Sequence, residues 1–391
     1  MMNPNRRAAL ALLAAAVGAG ASPARAQPPS GAPTTPDKRF GTTLVLSGGG
    51  ARGAYEAGVI EGLVRASGVR DGEPIPGINA VVGTSIGAIN GWFISTAQYS
   101  ALRTAWHTIS DANIFRLKRR YAAMASPSSG VATRLMESLS LLVNLNKTMD
   151  GLFDADPIKA WLRANVDPER HTVTPLVFNA ADIRNQRAAY FYATEETSSA
   201  AEQRAILHAL DSISGIPATA APARATLHDA LYASIALPLL CDPIELVVDG
   251  VPGLFVDGGS SDNTAVDVAR IIALRVNVIL VDPPTSTYEP KNAIAAALGS
   301  FNLLQRRVLE ASMRGAYTTT LMKRTLASAQ VDAAQRAFLD SLYDVDLGIM
   351  RPTHDLPGDL SDFRDQAKLQ ASYDAGIADA TAGWSPYVPP V

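Results

Sequence analysis

The chain predicts an α/β fold in which a largely parallel central sheet is covered by helices on both faces. Three observations predict it. The strand candidates are unbroken apolar runs, as strands buried on both faces read. They alternate with segments whose apolar residues recur at helical spacing. And strand, glycine-rich turn and helix follow one another twice within residues 42–90, an arrangement that sets both turns at one edge of a parallel sheet.

Residues 1–26 stand apart from that fold. Asn5-Arg6-Arg7 is a short basic start, Ala8 to Ala19 an apolar run, and Ala24-Arg25-Ala26 a small-x-small cleavage pattern. The run is shorter than the roughly 20 residues a membrane span needs. The segment reads as an export signal cut after Ala26, which sends the mature protein to the periplasm or outside the cell. No cysteine follows the cut to carry a lipid anchor. The paired arginines keep the twin-arginine route open beside the general one. Gln27 to Asp37 is rich in proline, so residues 27–39 are expected to be a disordered linker, and residues 40–391 the folded domain.

The first strand is Thr42-Thr43-Leu44-Val45-Leu46, running into Ser47-Gly48-Gly49-Gly50-Ala51-Arg52-Gly53. Ala57, Ile60, Leu63 and Val64 then mark a helix. Gly48-x-Gly50-x-x-Gly53 satisfies the dinucleotide fingerprint, with Asp71 or Glu73 placed as the ribose-binding acid. It equally suits an oxyanion hole, in which consecutive glycines aim backbone N–H groups at one point and a helix N-terminus adds its dipole. The next unit discriminates between them. Ala80-Val81-Val82 is a strand, and Gly83-Thr84-Ser85-Ile86-Gly87 follows it. Gly-x-Ser-x-Gly suits a sharp strand-to-helix turn that holds a serine in a strained, exposed position. A dinucleotide site has no use for this second turn; acyl transfer needs both.

From Tyr99 to about Asp150 the pattern is helical and amphipathic, broken by Ser126-Pro127-Ser128-Ser129-Gly130. The basic run Arg116-Leu117-Lys118-Arg119-Arg120 and the apolar run Leu139-Ser140-Leu141-Leu142-Val143 suit either ordinary helix packing or a lid over about 100–150 that meets a lipid surface transiently. Asp156 is expected to cap a helix that has Pro157 at its first position. Val173 to Ala180 and Ala188 to Tyr192 read as neighbouring strands, and His228 to Ala236 as a helix ending before Pro238. Ile244–Val248 and Leu254–Val256 are short strands, the second running into Asp257-Gly258-Gly259. That tripeptide is either an Asp-Gly turn or a carboxylate placed where another segment can approach it. Val276–Val281 is a strand, Ala293 to about Ala329 a long helix, Val345–Met350 a strand, and Asp362–Ala380 a closing helix.

With 391 residues, 47% of them hydrophobic, the chain can bury a large core. A net charge of −3 without an extended basic block argues against nucleic acid as a partner. Cys241, the only cysteine, cannot form an internal disulfide and reads as a packed, inert thiol. The five histidines, His107, His171, His208, His228 and His354, show no metal-ligand spacing. No metal and no cofactor are expected.

Taken together, these residues resemble the patatin-like phospholipase family. Gly48-Gly49-Gly50-Ala51-Arg52-Gly53 is similar to its oxyanion loop and Gly83-Thr84-Ser85-Ile86-Gly87 to its nucleophile elbow. Asp257-Gly258-Gly259 is similar to its Asp-Gly-Gly/Ala motif, and Ala233-Ser234-Ile235-Ala236-Leu237-Pro238 to the stretch before it. The resemblance covers about Phe40 to Ala380. It implies a three-layer α/β/α sandwich and a serine acyl hydrolase of lipid esters, phospholipase A- or lysophospholipase-like, working through a Ser-Asp dyad without histidine. Carried over, it implies Ser85 as nucleophile and Asp257 as proton acceptor. The backbone of Gly48 to Gly53 then forms the oxyanion hole, braced by Arg52, with Gly83, Gly87, Gly258 and Gly259 as motif support. The chain departs from the family at Ile86, where a small residue is usual, and at Ser260 and Ala265, positions of an apolar residue and a proline. Ile86 is expected to narrow the pocket beside the nucleophile.

Two alternatives stay open. Ser85, Asp257 and His354 stand in the chain order of an α/β-hydrolase triad, with His354 in a proline-bounded loop after a strand. From another class, the chain could be a non-catalytic lipid- or nucleotide-binding module.

Overall fold

The structure, a computed structural model, describes residues 40–110, 114, 116–119, 121, 151–194, 218–222, 226–248, 250–285, 293–357 and 362–389. The chain divides into two units, Met1–Asp37 and Lys38–Val391, and every described residue belongs to the second. The export signal, the linker at 27–39 and the apolar run Leu139–Val143 lie outside the described residues.

In chain order, β1 (Phe40–Leu46) leads through the glycine loop into α1 (Gly53–Ser67), and β2 (Ala80–Thr84) turns directly into α2 (Ile86–Ser95), followed by α3 (Tyr99–Thr108). A two-stranded ribbon, β3 (Arg116–Leu117) with β4 (Phe153–Asp154), precedes α4 (Asp156–Asn165). Next come β5 (Leu176–Asp182), β6 (Arg187–Ala193), β7 (Ala218–Pro222), α5 (Leu227–Ile235), β8 (Ile244–Val248) and β9 (Val251–Asp257). The chain ends with α6 (Val266–Ile272), β10 (Ala273–Ile279), α7 (Ala293–Leu326), α8 (Ala333–Ser341), β11 (Asp346–Met350), α9 (Gln366–Ala382) and β12 (Ser385–Pro386).

The main sheet runs β12-β11-β10-β1-β2-β5-β6-β7. Its centre, β11-β10-β1-β2-β5, is parallel throughout, and β6, β9 and β12 each join it antiparallel. Side chains alternate across the pleat, so consecutive residues serve opposite layers. Leu44, Leu46 and Val81 pack with α1, α2, α3, α5 and α9, whereas Val45, Ala80 and Val82 pack with α6 and α7. Both faces are therefore buried under helices, which is why the strands read as unbroken apolar runs. The fold is the three-layer α/β/α sandwich expected, with a mostly parallel core.

Two local expectations are corrected. Arg116 and Leu117 form a strand, not a helix, because they pair with Phe153 and Asp154. Arg116 bonds to Asp154, and Lys118 Nζ lies 2.6 Å from Asp242, so these two cations of the basic run are held by the protein's own carboxylates. The helix expected to be capped by Asp156 instead begins at it, with Ala155 at the cap position. The acceptor for the Asp156 N–H is the Asp154 side chain at 3.0 Å.

One register decides where the chemistry can happen. β2 ends at Thr84, opposite Asn179 of β5, and β5 continues one residue on at Ala180, opposite Asp257. β6 holds the far side of β5 along its whole length. β9 therefore takes the side that β2 has vacated and runs in from the opposite direction. The two strand ends meet head to head over consecutive residues of β5.

Asn179 ties that meeting point together. Its Oδ1 accepts from Thr84 Oγ1 at 2.8 Å, and its Nδ2 donates to Gly258 O at 3.1 Å and to Asp262 O at 2.9 Å. Because the residue has no exposed surface, water cannot replace those bonds. Asn179→Ala should lower stability by about 2–3 kcal/mol, read by urea unfolding, and Thr84→Val by about 1 kcal/mol.

Candidate active site

Ser85 is the hinge between β2 and α2. Its φ of 54° and ψ of −126° place a non-glycine residue in a region L side chains rarely adopt. The turn around it is tight: a Cβ on Gly83 would lie 2.4 Å from Gly87 O, so only glycine lets the strand and helix backbones cross there. The strained backbone is held by the Ser85 N–H donating to Ser234 Oγ at 3.0 Å. That bond accounts for the serine in Ala233-Ser234-Ile235-Ala236, to which sequence reading assigned no contact.

The Ser85 hydroxyl donates to Asp257 Oδ2 at 2.6 Å. The other carboxylate oxygen accepts the Gly259 N–H at 2.7 Å, and the Asp257 N–H is fixed by Ala236 O at 2.8 Å. Ser85 is 6% exposed and Asp257 1%. No cation hydrogen-bonds to Asp257 among the described residues. Burial therefore pushes its carboxyl up to about 7, opposed by the bonds from Ser85 and Gly259. Because the bond is direct, no imidazole stands between hydroxyl and carboxylate, and His354 is exposed. The structure does not assemble the Ser85-Asp257-His354 triad.

The glycine loop lies against this pair. Gly49 precedes a short 3₁₀ turn, Gly50–Arg52, in which Gly50 takes the left-handed φ of 53°. Gly48 is clamped both ways, its N–H donating to Asn263 O at 3.0 Å and its carbonyl accepting Asn263 Nδ2 at 3.3 Å. Arg52 N–H closes back on Gly49 O at 3.0 Å. Among the described residues, the N–H groups of Gly49, Gly50 and Ala51 meet no protein acceptor. They precede α1, where the helix dipole adds positive potential. Loop and elbow are in contact, since a Cβ on Gly48 would stand 3.2 Å from Ser85 Cβ.

The loop is braced from the end of β10. The Arg52 guanidinium bonds to Asp282, whose carbonyl accepts from Arg351 Nε at 2.9 Å and Nη2 at 2.8 Å. Arg306 Nη2 adds a 2.8 Å bond to Pro283 O. Sequence reading found Arg52 but not Asp282, Arg306 or Arg351. The residues once weighed as ribose-binding acids sit elsewhere: Asp71 accepts from Ser100 N–H and Glu73 from Arg70 N–H.

Beside Ser85 opens an apolar cavity of about 50 Å³, lined by Gly50, Ile86, Ile89, Trp161, Phe363 and their neighbours. Ile86 stands in that lining, as expected. Cys241 lines it too, buried, with its thiol pushed up to about 12 by desolvation and by Asp257. Among the described residues no group of His, Cys, Asp and Glu is arranged to hold a metal ion, and no helix is long and apolar enough to cross a membrane.

A family model of patatin-like phospholipase matches residues 44–270, which span β1 through most of α6 and include the glycine loop, the elbow and Asp257. The chain belongs to the patatin-like phospholipase family. As a family member it is an esterase of the lipid acyl hydrolase class. Among solved structures it is similar to VipD from Legionella pneumophila, at 12% identity and a TM-score of 0.34, over 89% of this chain and 68% of that one. No curated protein matches the chain.

The buried carboxyl of Asp257 makes a testable statement about stability. Its pKa is raised by folding, so its contribution is fully present below about 4 and is lost as pH rises through about 7. Asn at this position carries no charge to bury. The melting temperature of Asp257→Asn minus that of the unaltered protein should grow from pH 4 to pH 7 and level off above, read by scanning calorimetry. Asp262, also buried and raised to about 7, supplies a further fall that this variant leaves in place.

Proposed function

We propose that this protein hydrolyses carboxylic esters of lipids, phospholipase A- or lysophospholipase-like, through Ser85 as nucleophile and Asp257 as base. The observation that carries the reading is the direct 2.6 Å bond from the Ser85 hydroxyl to Asp257, next to a glycine loop with three backbone N–H groups that meet no acceptor among the described residues. A serine hydroxyl needs a base within hydrogen-bond reach, and a base working near neutral pH serves best with a pKa near 7.

The steps follow from these contacts. Asp257 takes the Ser85 proton as Oγ attacks the ester carbonyl carbon, whose oxygen becomes an anion held by the N–H groups of Gly49, Gly50 and Ala51. Each such donor is worth roughly 3 kcal/mol in the transition state. The C–O bond to the alcohol then breaks, and the alcohol leaves with the proton from Asp257. Water repeats the sequence on the acyl-enzyme: Asp257 accepts its proton, the new C–O bond forms, and the acid departs as Oγ regains the proton. No step draws on a cofactor, and the apolar cavity beside Ser85 suits the acyl part of a lipid.

Hydrolysis of p-nitrophenyl acyl esters of increasing chain length tests the reading. Ser85→Ala and Asp257→Asn should each lose at least about a thousandfold in kcat/KM, whereas His354→Ala should stay within about twofold. A folded His354→Ala variant that is dead would overturn the dyad, and an unaltered protein inactive on every ester would overturn the function.

The same reading includes export. Residues 1–26 carry the basic start, apolar run and small-x-small pattern of a signal peptide, which supports a periplasmic or extracellular address. Intact-mass analysis of protein recovered from the periplasmic fraction and medium should show a chain beginning at Gln27. A cytosolic chain that keeps residues 1–26 would exclude it.

A further inference from the structure

A second buried carboxyl lies beneath the glycine loop, and the reaction above does not use it. Glu56, in the first turn of α1, has no exposed surface. Its Oε2 accepts from Asn90 Nδ2 at 3.0 Å. The same Asn90 nitrogen donates to Gly53 O at 3.1 Å, and Asn90 Oδ1 accepts Trp106 Nε1 at 2.9 Å. The N–H and hydroxyl of Ser47, the residue before the glycines, face the carboxyl, yet no hydrogen bond of ordinary geometry reaches Oε1.

Among the described residues, the groups that hydrogen-bond or face Glu56 are neutral: Ser47 after β1, Asn90 on α2, and through it Trp106 on α3. The charged groups nearby are engaged elsewhere. Arg52 bonds to Asp282, and Arg351 to the Asp282 carbonyl. Tyr55 donates to Asp379 of α9 at 2.8 Å, while Arg65 and Arg103 are held by Glu61. His107 on α3 packs tilted against Tyr373 of α9. An ionised Glu56 would be a buried charge without a counter-ion, and burial accordingly pushes its carboxyl up to about 8. Its place gives that proton a consequence. Ser47 and Gly53 bracket the loop donors, and a negative charge between them would oppose the negative charge that forms on the ester oxygen.

We propose that Glu56 is a positioning residue that must be protonated for ester hydrolysis: as the neutral acid it holds the Asn90 side chain that fixes Gly53 at the end of the oxyanion loop, and its ionisation switches the enzyme off on the alkaline side. The proposal rests on the acyl hydrolase reading above. Asp257 must be ionised, so the rate rises with pH through about 7. Glu56 must be neutral, so the rate falls through about 8. The profile is a narrow bell.

The test is the pH profile of kcat/KM on a p-nitrophenyl acyl ester. Glu56→Gln, a neutral isostere, should keep the acid limb and lose the alkaline one, while Glu56→Ala should lose roughly ten- to a hundredfold across the profile. Ser47→Ala removes a group that favours the ionised form, so it should move the alkaline limb upward, and this serves should Glu56→Gln fail to fold. An alkaline limb unchanged in either variant overturns the proposal. The melting temperature in the same buffers does not depend on turnover. Stability from a raised carboxyl is present below its unfolded value of 4.5 and lost as pH rises through about 8, while Asp257 and Asp262 add their own fall in both proteins. The melting temperature of Glu56→Gln minus that of the unaltered protein should therefore grow from about pH 4.5 to 8. If no ester is cut but this difference grows, the function reading is wrong while Glu56 does hold a proton. If esters are cut and the difference does not change with pH, the Glu56 proposal is wrong.

Discussion

The structure around the site depends on the cost of burying one carboxyl without a counter-ion. Asp257 lies at the end of β9 with a hydroxyl on one oxygen and a backbone N–H on the other. Neither partner carries charge, so the ionised form is held by dipoles alone. Burial raises the carboxyl to about 7, which suits the proton transfer proposed for it. An arginine or lysine here would lower its pKa and weaken it as a base. Arg52 and Lys118 are instead held by other carboxylates, Asp282 and Asp242.

Holding such a group needs a stiff frame, and the frame is the junction of β2 and β9 on β5. Backbone pairing sets the two strand ends one residue apart along β5. The Asn179 side chain then bonds to the last residue of one strand and to the loop that follows the other. The strain at Ser85 is held by the same design. A φ of 54° persists because the Ser85 N–H is bonded to Ser234 and the helix behind it is wholly buried. Local strain of this kind costs of order 1–3 kcal/mol, supplied here by the packing of a two-faced sheet.

Asp257, Asp262 and Glu56 form a set of buried acids with raised pKa values. Each makes the folded state less favourable as pH rises. Such groups persist where function needs them and the core is large enough to carry their cost. On the proposed reading these demands meet at the glycine loop, whose N–H groups would receive the ester oxygen's charge while Glu56 nearby stays neutral.

What the sequence by itself determined is local. Unbroken apolar runs alternating with helical periodicity specify buried strands and covering helices, since the pleat and the helix impose periods of two and 3.6 on any chain. Gly83 to Gly87 and Gly48 to Gly53 were legible because those turns demand residues without side chains. Elements without such a mark are not legible: β7, α6, α8 and β12 go unpredicted, Arg116-Leu117 reads as helix, and the cap falls at Asp156 instead of Ala155. Only the tertiary structure decided what Asp257 meets. In the chain it is an Asp-Gly turn like many others, 172 positions from Ser85. It stands at hydrogen-bond distance from the serine because β9 enters antiparallel in the space β2 leaves beside β5. The same long-range pairing leaves His354 outside, sets Asn179 and Asp282 behind the two loops, and seals Glu56 beneath the glycines. None of these follows from residue type, because each depends on which distant strand ends share a neighbour.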